Sequence, residues 1–367
     1  MKLECSKDVL KNAVGLAERM VGKNLSLPVL GGILFSAKNN KLLLRATNLD
    51  VGIEMEIPAQ VSEEGTLVIQ GNLLSGVLSS IYDQKVSLET SSENMVLKSS
   101  NGRSVLKCLP HEDFPTLPVV SGTDAFAMPV DKFVDGVKSV WYSASISDMK
   151  PEIASVCIYS EGENIIFAAT DSFRLAEKKV FLKEKTSFKH VLIPQKNIVE
   201  ILRVFDGVTG SVNINVSKNQ ISFSLADKDI YVTSRIVDGI FPDYQQIIPK
   251  DYATEATVLK QDIMNALKVT NLFSDKFNRV DVSVDVSGKK FITESKNSTA
   301  GENMTVVDAS LSGKNISCGF NQKYLIDCFQ SLKQDSITFR FSGEGRPLVI
   351  RGVSDQSFMY LVMPLTT

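Results

Sequence analysis

At 367 residues the chain is longer than a single hydrophobic core supports, so two or three domains are expected. Apolar residues make up 43% and charged residues 22%, a balance that excludes a disordered or fibrous chain. The 40 Lys and Arg against 42 Asp and Glu leave a net charge of −2, without the basic excess that phosphate contact normally requires.

Lys2, Glu4, Lys7 and Asp8 stand where a secretory signal needs its apolar stretch. The longest apolar run, Leu27 to Phe35, falls well short of the ~20 residues that cross a bilayer. A cytoplasmic location with no membrane partner is therefore expected. Leu10, Ala13 and Val14, spaced i, i+3, i+4, predict the start of an amphipathic helix. Ala46-Thr47-Asn48 predicts a strand ending in a turn, because Asn bonds the backbone just downstream. Leu67 to Ile69 predicts a short strand running at once into a helix through Leu74 and Leu78. Lys85 to Glu89 alternates as a half-wet antiparallel strand does, and Phe114-Pro115 closes the pattern.

After the polar stretch Val119 to Asp124 the same order returns. Phe133, Gly136 and Val137 begin a helix, Ala169-Thr170-Asp171 repeats the turn, and Val191 to Ile193 leads into Ile198 and Leu202. Ser211 to Val216 alternates, and Phe241-Pro242 closes the second unit. Beyond Pro249 to Thr254 come Ile263, Ala266 and Leu267, a faint turn near Thr293, Ile316 to Cys318 leading to Tyr324 and Cys328, then Ser336 to Phe341 and Met363-Pro364. The landmarks recur at shifts of 122 to 130 residues. Constant order at near-constant spacing predicts a threefold internal repeat. The fold class is α+β: three similar domains, 1–121, 122–250 and 251–367, each with two helices packed on one side of antiparallel sheet. Such domains in a line curve into an arc or ring.

The stock of catalytic groups is thin. Five cysteines (Cys5, Cys108, Cys157, Cys318 and Cys328) are odd in number, widely spaced and free of Cys-x-x-Cys pairs, which argues against a disulfide framework and a zinc site. His111 and His190 are the only histidines, so no multi-histidine metal centre and no cofactor is expected. There is no His-Glu-x-x-His motif, no Gly-x-Ser-x-Gly elbow and no phosphate loop, since Gly207 to Gly210 lacks the Lys-Ser/Thr ending. An enzyme using paired carboxylates, and a scaffold that binds peptides but no DNA, stay open on the residues alone.

Four segments make the chain recognisable: Leu27 to Gly31, Ala169 to Ala176 (Ala-Thr-Asp-Ser-Phe-Arg-Leu-Ala), Val237 to Tyr244 and Tyr360 to Leu365. In their order and spacing they resemble the beta subunit of bacterial DNA polymerase III, the sliding clamp, and the likeness runs essentially from end to end. The resemblance implies a non-catalytic, head-to-tail homodimeric ring around duplex DNA, with helices lining the hole and sheet outside. It also implies that the ring holds the replicative polymerase's catalytic subunit, the clamp loader and other proteins that carry a clamp-binding motif.

Carried over by position, the family's peptide pocket comprises Ile153, Thr170, Arg174, Leu175, Pro242, Ile247, Leu361 and Met363, with Asn321, Tyr324, Pro347 and Pro364 on an adjoining shelf. Comparison of the repeats sharpens this, since Arg174 stands where the first unit has Val51 and Tyr244 where it has Leu117. A turn shared between units reads as scaffold. The chain departs from the family at Ser172 and Phe173, often Gly and His, at Gln245 and Gln246, often basic, and at Thr366 and Thr367, often Arg-Leu. Helical cations and acids nearly balance, which suits a ring that needs only weak, sequence-independent attraction to phosphates. Lys23, Lys150, Lys196 and Arg203 are the expected DNA-facing residues. At ring closure the resemblance sets Val105 and Leu106 of an edge strand against Leu272 and Phe273 of the second copy.

Overall fold

A computed structural model of the chain describes residues 1–22, 27–121, 124–183, 187–225 and 229–365. Among these residues lie six α-helices: α1 (Lys7–Glu18), α2 (Gly71–Ser79), α3 (Val130–Val140), α4 (Gln195–Phe205), α5 (Lys260–Asn271) and α6 (Gln322–Asp327). Strands in antiparallel pairing make up most of the rest, and the fold is α+β with a helix pair in each repeat.

The helices form where the sequence places an apolar stripe. α1 buries Leu10, Ala13, Val14 and Ala17, and α5 buries Ile263, Ala266, Leu267 and Thr270, one face at i, i+3, i+4, i+7 in both. Asp8 and Asp262 in the first turns complement the partial positive charge of the helix start. α6 is shorter than expected: its Asn321 cap accepts the Lys323 N–H, and a 3₁₀ turn takes over at Cys328–Gln330. Cys328 thus lies outside the α-helix.

The turn shared by the first two repeats is the same object twice. Thr47 Oγ1 donates to the Val51 carbonyl at 2.9 Å, and Asn48 Oδ1 accepts the N–H groups of Asp50 and Val51, both at 2.9 Å. Thr170 Oγ1 donates to the Arg174 carbonyl at 2.7 Å, and Asp171 Oδ1 accepts from the N–H groups of Phe173 at 2.9 Å and Arg174 at 3.0 Å. The third repeat turns at Asn297 rather than Thr293, which sits inside the strand Lys290–Asn297. Asn297 Oδ1 accepts from Thr299 N and Ala300 N, at 2.9 and 3.3 Å, the same i+2, i+3 bonding without the preceding threonine.

By packing the chain forms two compact units, Met1–Phe133 with Lys196–Ile236, and Val134–Gln195 with Val237–Thr367. The first holds a 13-stranded sheet, the second a 9-stranded and a 4-stranded sheet. Sheets continuous across repeats produce this grouping. In the first unit Val51–Pro58 pairs with Ile230–Arg235 of the middle repeat. In the second, Arg174–Phe181 of the middle repeat pairs with Phe358–Val362, placing Arg174 opposite Val362 and Leu175 opposite Leu361. Within the second unit α3 lies so close to the strand Asn164–Thr170 that a Cβ on Gly136 would come within 2.4 Å of the Phe167 ring. Only glycine allows that approach.

Candidate functional site

In the second unit the strand pairing sets Leu175 and Leu361 side by side in one apolar cluster with Phe241, Tyr244, Val349 and Met359. Leu175 is fully buried and Leu361 nearly so, hence they form a floor rather than a contact surface. Met363 follows the last strand, packs half-buried on this cluster and donates its N–H to the Phe173 carbonyl at 2.8 Å. Sheet alternation explains the arrangement, because residues two apart along each strand face the same side.

Arg174 opens its strand and is 8% exposed. Nε donates to Asp171 at 3.0 Å, Nη1 to Asp327 at 2.5 Å and Nη2 to the Tyr142 carbonyl at 2.6 Å. Its guanidinium also lies over the Tyr324 ring, 4.4 Å from the centroid. The planar fork thus ties the strand to Asp327 at the end of α6 and commits three of its five N–H donors. Around it Tyr360 OH donates to the Tyr324 carbonyl at 2.8 Å, and Tyr142 OH and Ser331 Oγ share a hydrogen bond of 2.9 Å. Burial pushes the Tyr142 and Tyr360 hydroxyls well above the usual phenol range, so both stay neutral.

Hydrogen bonds, strand pairing and side-chain packing therefore bring Thr170, Arg174, Leu175, Tyr324, Leu361 and Met363 together. Pro242 is exposed between Phe241 and Tyr244 of the cluster, and its carbonyl accepts the Tyr244 N–H at 2.8 Å. Ile247 ends the short 3₁₀ turn Tyr244–Ile247 half-exposed, and Pro364 follows Met363 half-buried. Ile153 is buried, with its carbonyl on Ser145 N–H, while Asn321 serves as the α6 cap and Pro347 precedes the strand Leu348–Gly352. Thr366 and Thr367 lie outside the described residues. Asp327 and Tyr142 belong to the site although sequence reasoning gave neither a role there, and so does the 61% exposed Phe173, which sequence reasoning named only as a departure from the family. An exposed Phe next to a bonded turn was the only signal available for any of them.

The expected DNA-facing residues fall in both compact units. Lys196 and Arg203 lie on α4 seven residues apart, two helical turns and so on one face. Lys196 is exposed, and Arg203 is half-exposed and paired with Glu200. Lys150, in the second unit, is exposed at a turn whose carbonyl accepts from Ile153 and Ala154. Lys23 lies outside the described residues.

The strand Arg103–Leu109 pairs with Asn94–Lys98 through Arg103 to Lys107, but with Gly65–Gln70 only at Cys108 and Leu109. Among the described residues the other edge of Arg103 to Lys107 is unpaired. Val105 is 54% exposed there, whereas Leu106 points into the core at 2%. In the second unit Leu272 is 72% exposed just past α5, and Phe273 is half-buried. Gly301–Val307 is the edge of the four-stranded sheet, with Met304 and Val306 exposed. The sequence reading missed this edge, although Met304 and Val306 alternate with threonine as edge residues do.

Among the described residues no group of three His, Cys, Asp or Glu could hold a metal ion. Burial pushes the Cys5 thiol up to about 12 and those of Cys157 and Cys328 higher still, which suits inert core residues rather than nucleophiles. No helix among the described residues is long and apolar enough to cross a membrane.

Three family models match in succession: the DNA polymerase III beta subunit N-terminal domain over residues 1–118, the central domain over 127–243 and the C-terminal domain over 245–366. The chain is 26% identical to the Bacillus subtilis beta sliding clamp and 24% identical to that of Staphylococcus epidermidis, each over 100% of both chains. It is 27% identical to the Synechocystis beta sliding clamp over 100% of this chain and 99% of that one. The crystal structure of the Bacillus subtilis DNA polymerase sliding clamp superposes with a TM-score of 0.93 at 24% identity, covering 100% of this chain and 99% of that one. That of the Thermotoga maritima DNA polymerase III beta subunit gives 0.93 at 22% identity with the same coverage. Matched by all three domain families in order over nearly its whole length, the chain belongs to the DNA polymerase III beta subunit family, the non-catalytic sliding clamps of DNA replication.

Proposed function

We propose that two copies of this chain close head to tail into a cytoplasmic ring around duplex DNA. Its domains are 1–121, 122–250 and 251–367. The ring holds the polymerase catalytic subunit, the clamp loader and other proteins with a clamp-binding motif. The uninterrupted match of all three clamp domains is the observation that carries this reading. The floor of Leu175 and Leu361, edged by Met363 and the exposed Pro242 and Ile247, supports a peptide pocket, since apolar anchors dominate such contacts. Arg174 acts in it as a positioning residue, fixing the wall formed by Tyr324. Lys150, Lys196, Arg203 and Lys23 supply weak phosphate attraction, which a topological tether needs only in small measure.

The unpaired edge beside Val105 supports ring closure, because an open strand edge invites a second strand. The exposed edge at Met304 and Val306, on the strand whose first residue Gly301 lies against the Phe273 ring, is the surface of the second copy that fits it. Light scattering of the native protein is expected to give twice the chain mass. A folded Leu272→Ala, Phe273→Ala variant is expected to give the single chain mass, and an unchanged dimer mass in that variant would sink the assignment.

A further inference from the structure

The second unit contains a groove of about 660 Å³ that the pocket reading does not use, lined by Lys179, Lys250, Arg351, Glu161, Glu177 and Gln245 among others. It continues the pocket's own sheet face. Leu175, Glu177 and Lys179 alternate along one side of the strand Arg174–Phe181, so the groove starts about 7 Å and extends about 13 Å from the Leu175 floor. Ile248 joins the two, since it packs on the floor cluster and also lines the groove.

The charges in the groove are unevenly matched. Glu177 accepts the Tyr244 hydroxyl at 2.6 Å and lies 3.8 Å from Lys179, which lies 3.8 Å from Glu161 as well. Those groups satisfy one another. Among the described residues Arg351 and Lys250 form no ion pair, and Arg351 Nε is shielded from solvent without a hydrogen-bond acceptor. A solvent-shielded N–H is closed to a docking group as well, so what the groove offers a ligand is the unpaired positive charge of half-buried Arg351 and exposed Lys250, to which a carboxylate is complementary through charge-assisted bonds.

We propose that this groove takes the acidic flank of a partner peptide whose apolar anchors occupy the neighbouring pocket, with Arg351 and Lys250 as the specificity-determining residues. The inference rests on the pocket reading. At about 3.3 Å per extended residue, the carboxylate sits roughly two to four residues from the anchor. Charge selection of this kind separates partners that share the same anchors.

The test uses two synthetic peptides with the same Leu and Phe anchors, one flanked on each side by two glutamates and the other by two glutamines, titrated into the full chain by calorimetry. The glutamate peptide is expected to bind about tenfold tighter. That advantage is expected to vanish in Arg351→Gln and to shrink in Lys250→Gln, with affinity for the glutamine peptide unchanged and melting curves confirming both folds. Equal affinity of the two peptides for the native protein, or an advantage retained in both folded variants, overturns the proposal while leaving the pocket intact. Failure of either peptide to bind removes the pocket reading and this inference with it. Displacement of the glutamate peptide alone by a duplex oligonucleotide would assign the groove to phosphates and overturn the proposal too.

Discussion

Replacing Arg174 by Met is expected to destabilise the second compact unit by about 3 kcal/mol, the lower end of what breaking a buried ion pair costs. Methionine keeps the length and apolar stem of the side chain but removes three donors. Asp171 and Asp327 then lose their counter-charge, and the Tyr142 carbonyl loses its donor. The lower end is chosen because the Asp327 side chain is 39% exposed and recovers part of its solvation from water. Denaturant melts of the native protein and the variant measure the loss. Adding Asp327→Asn to Arg174→Met removes one stranded charge and is expected to restore part of it. A near-native midpoint in Arg174→Met would mean that the clamp of hydrogen bonds contributes no stability.

Met363→Ala is expected to weaken binding of a polymerase-derived peptide about thirtyfold, the equivalent of roughly 2 kcal/mol for an anchor-contacting side chain. Met363 suits the test because it lies beyond the last strand and only half-buried, so alanine keeps the backbone bond to the Phe173 carbonyl. Leu361 does not, since it is 1% exposed in the core and its truncation costs about 2–5 kcal/mol of folding stability before any peptide is added. Calorimetry alongside a melting curve decides the matter. Near-native affinity in a well-folded Met363→Ala protein would move the pocket elsewhere.

Local pattern was legible in the sequence, and long-range partnership was not. The apolar stripes of α1 and α5 follow from 3.6-residue periodicity, and both turns at Thr47 and Thr170 follow from side chains that bond their own backbone. The third turn falls at Asn297 and not at Thr293, because the residue that bonds the turn is the Asn or Asp and not the threonine before it. Arg174 was found through the family's motif, but its role was not, since Asp327 is 153 positions away and no spacing rule joins them. Leu106 shows the same limit on a smaller scale. Alternation places Val105 and Leu106 on opposite faces, so only Val105 faces outward, whereas the resemblance sets both against the second copy. The grouping into two packing units arises from sheet pairing across repeats, Val51–Pro58 with Ile230–Arg235 and Arg174–Phe181 with Phe358–Val362, which a repeat pattern does not encode.

The central claim, a ring held on DNA by topology rather than by charge, is tested most directly by loading the protein onto a nicked circular duplex with a clamp loader and washing at rising salt. Ordinary phosphate binders lose about three to five decades of affinity between 50 and 200 mM salt, whereas a closed ring of chains that each carry a net charge of −2 has little electrostatic affinity to lose. The protein is expected to stay on the circle through that range and to leave as soon as a restriction enzyme linearises it. Equal retention on linear and circular DNA, or release from the intact circle with the salt dependence of a phosphate binder, would contradict the account.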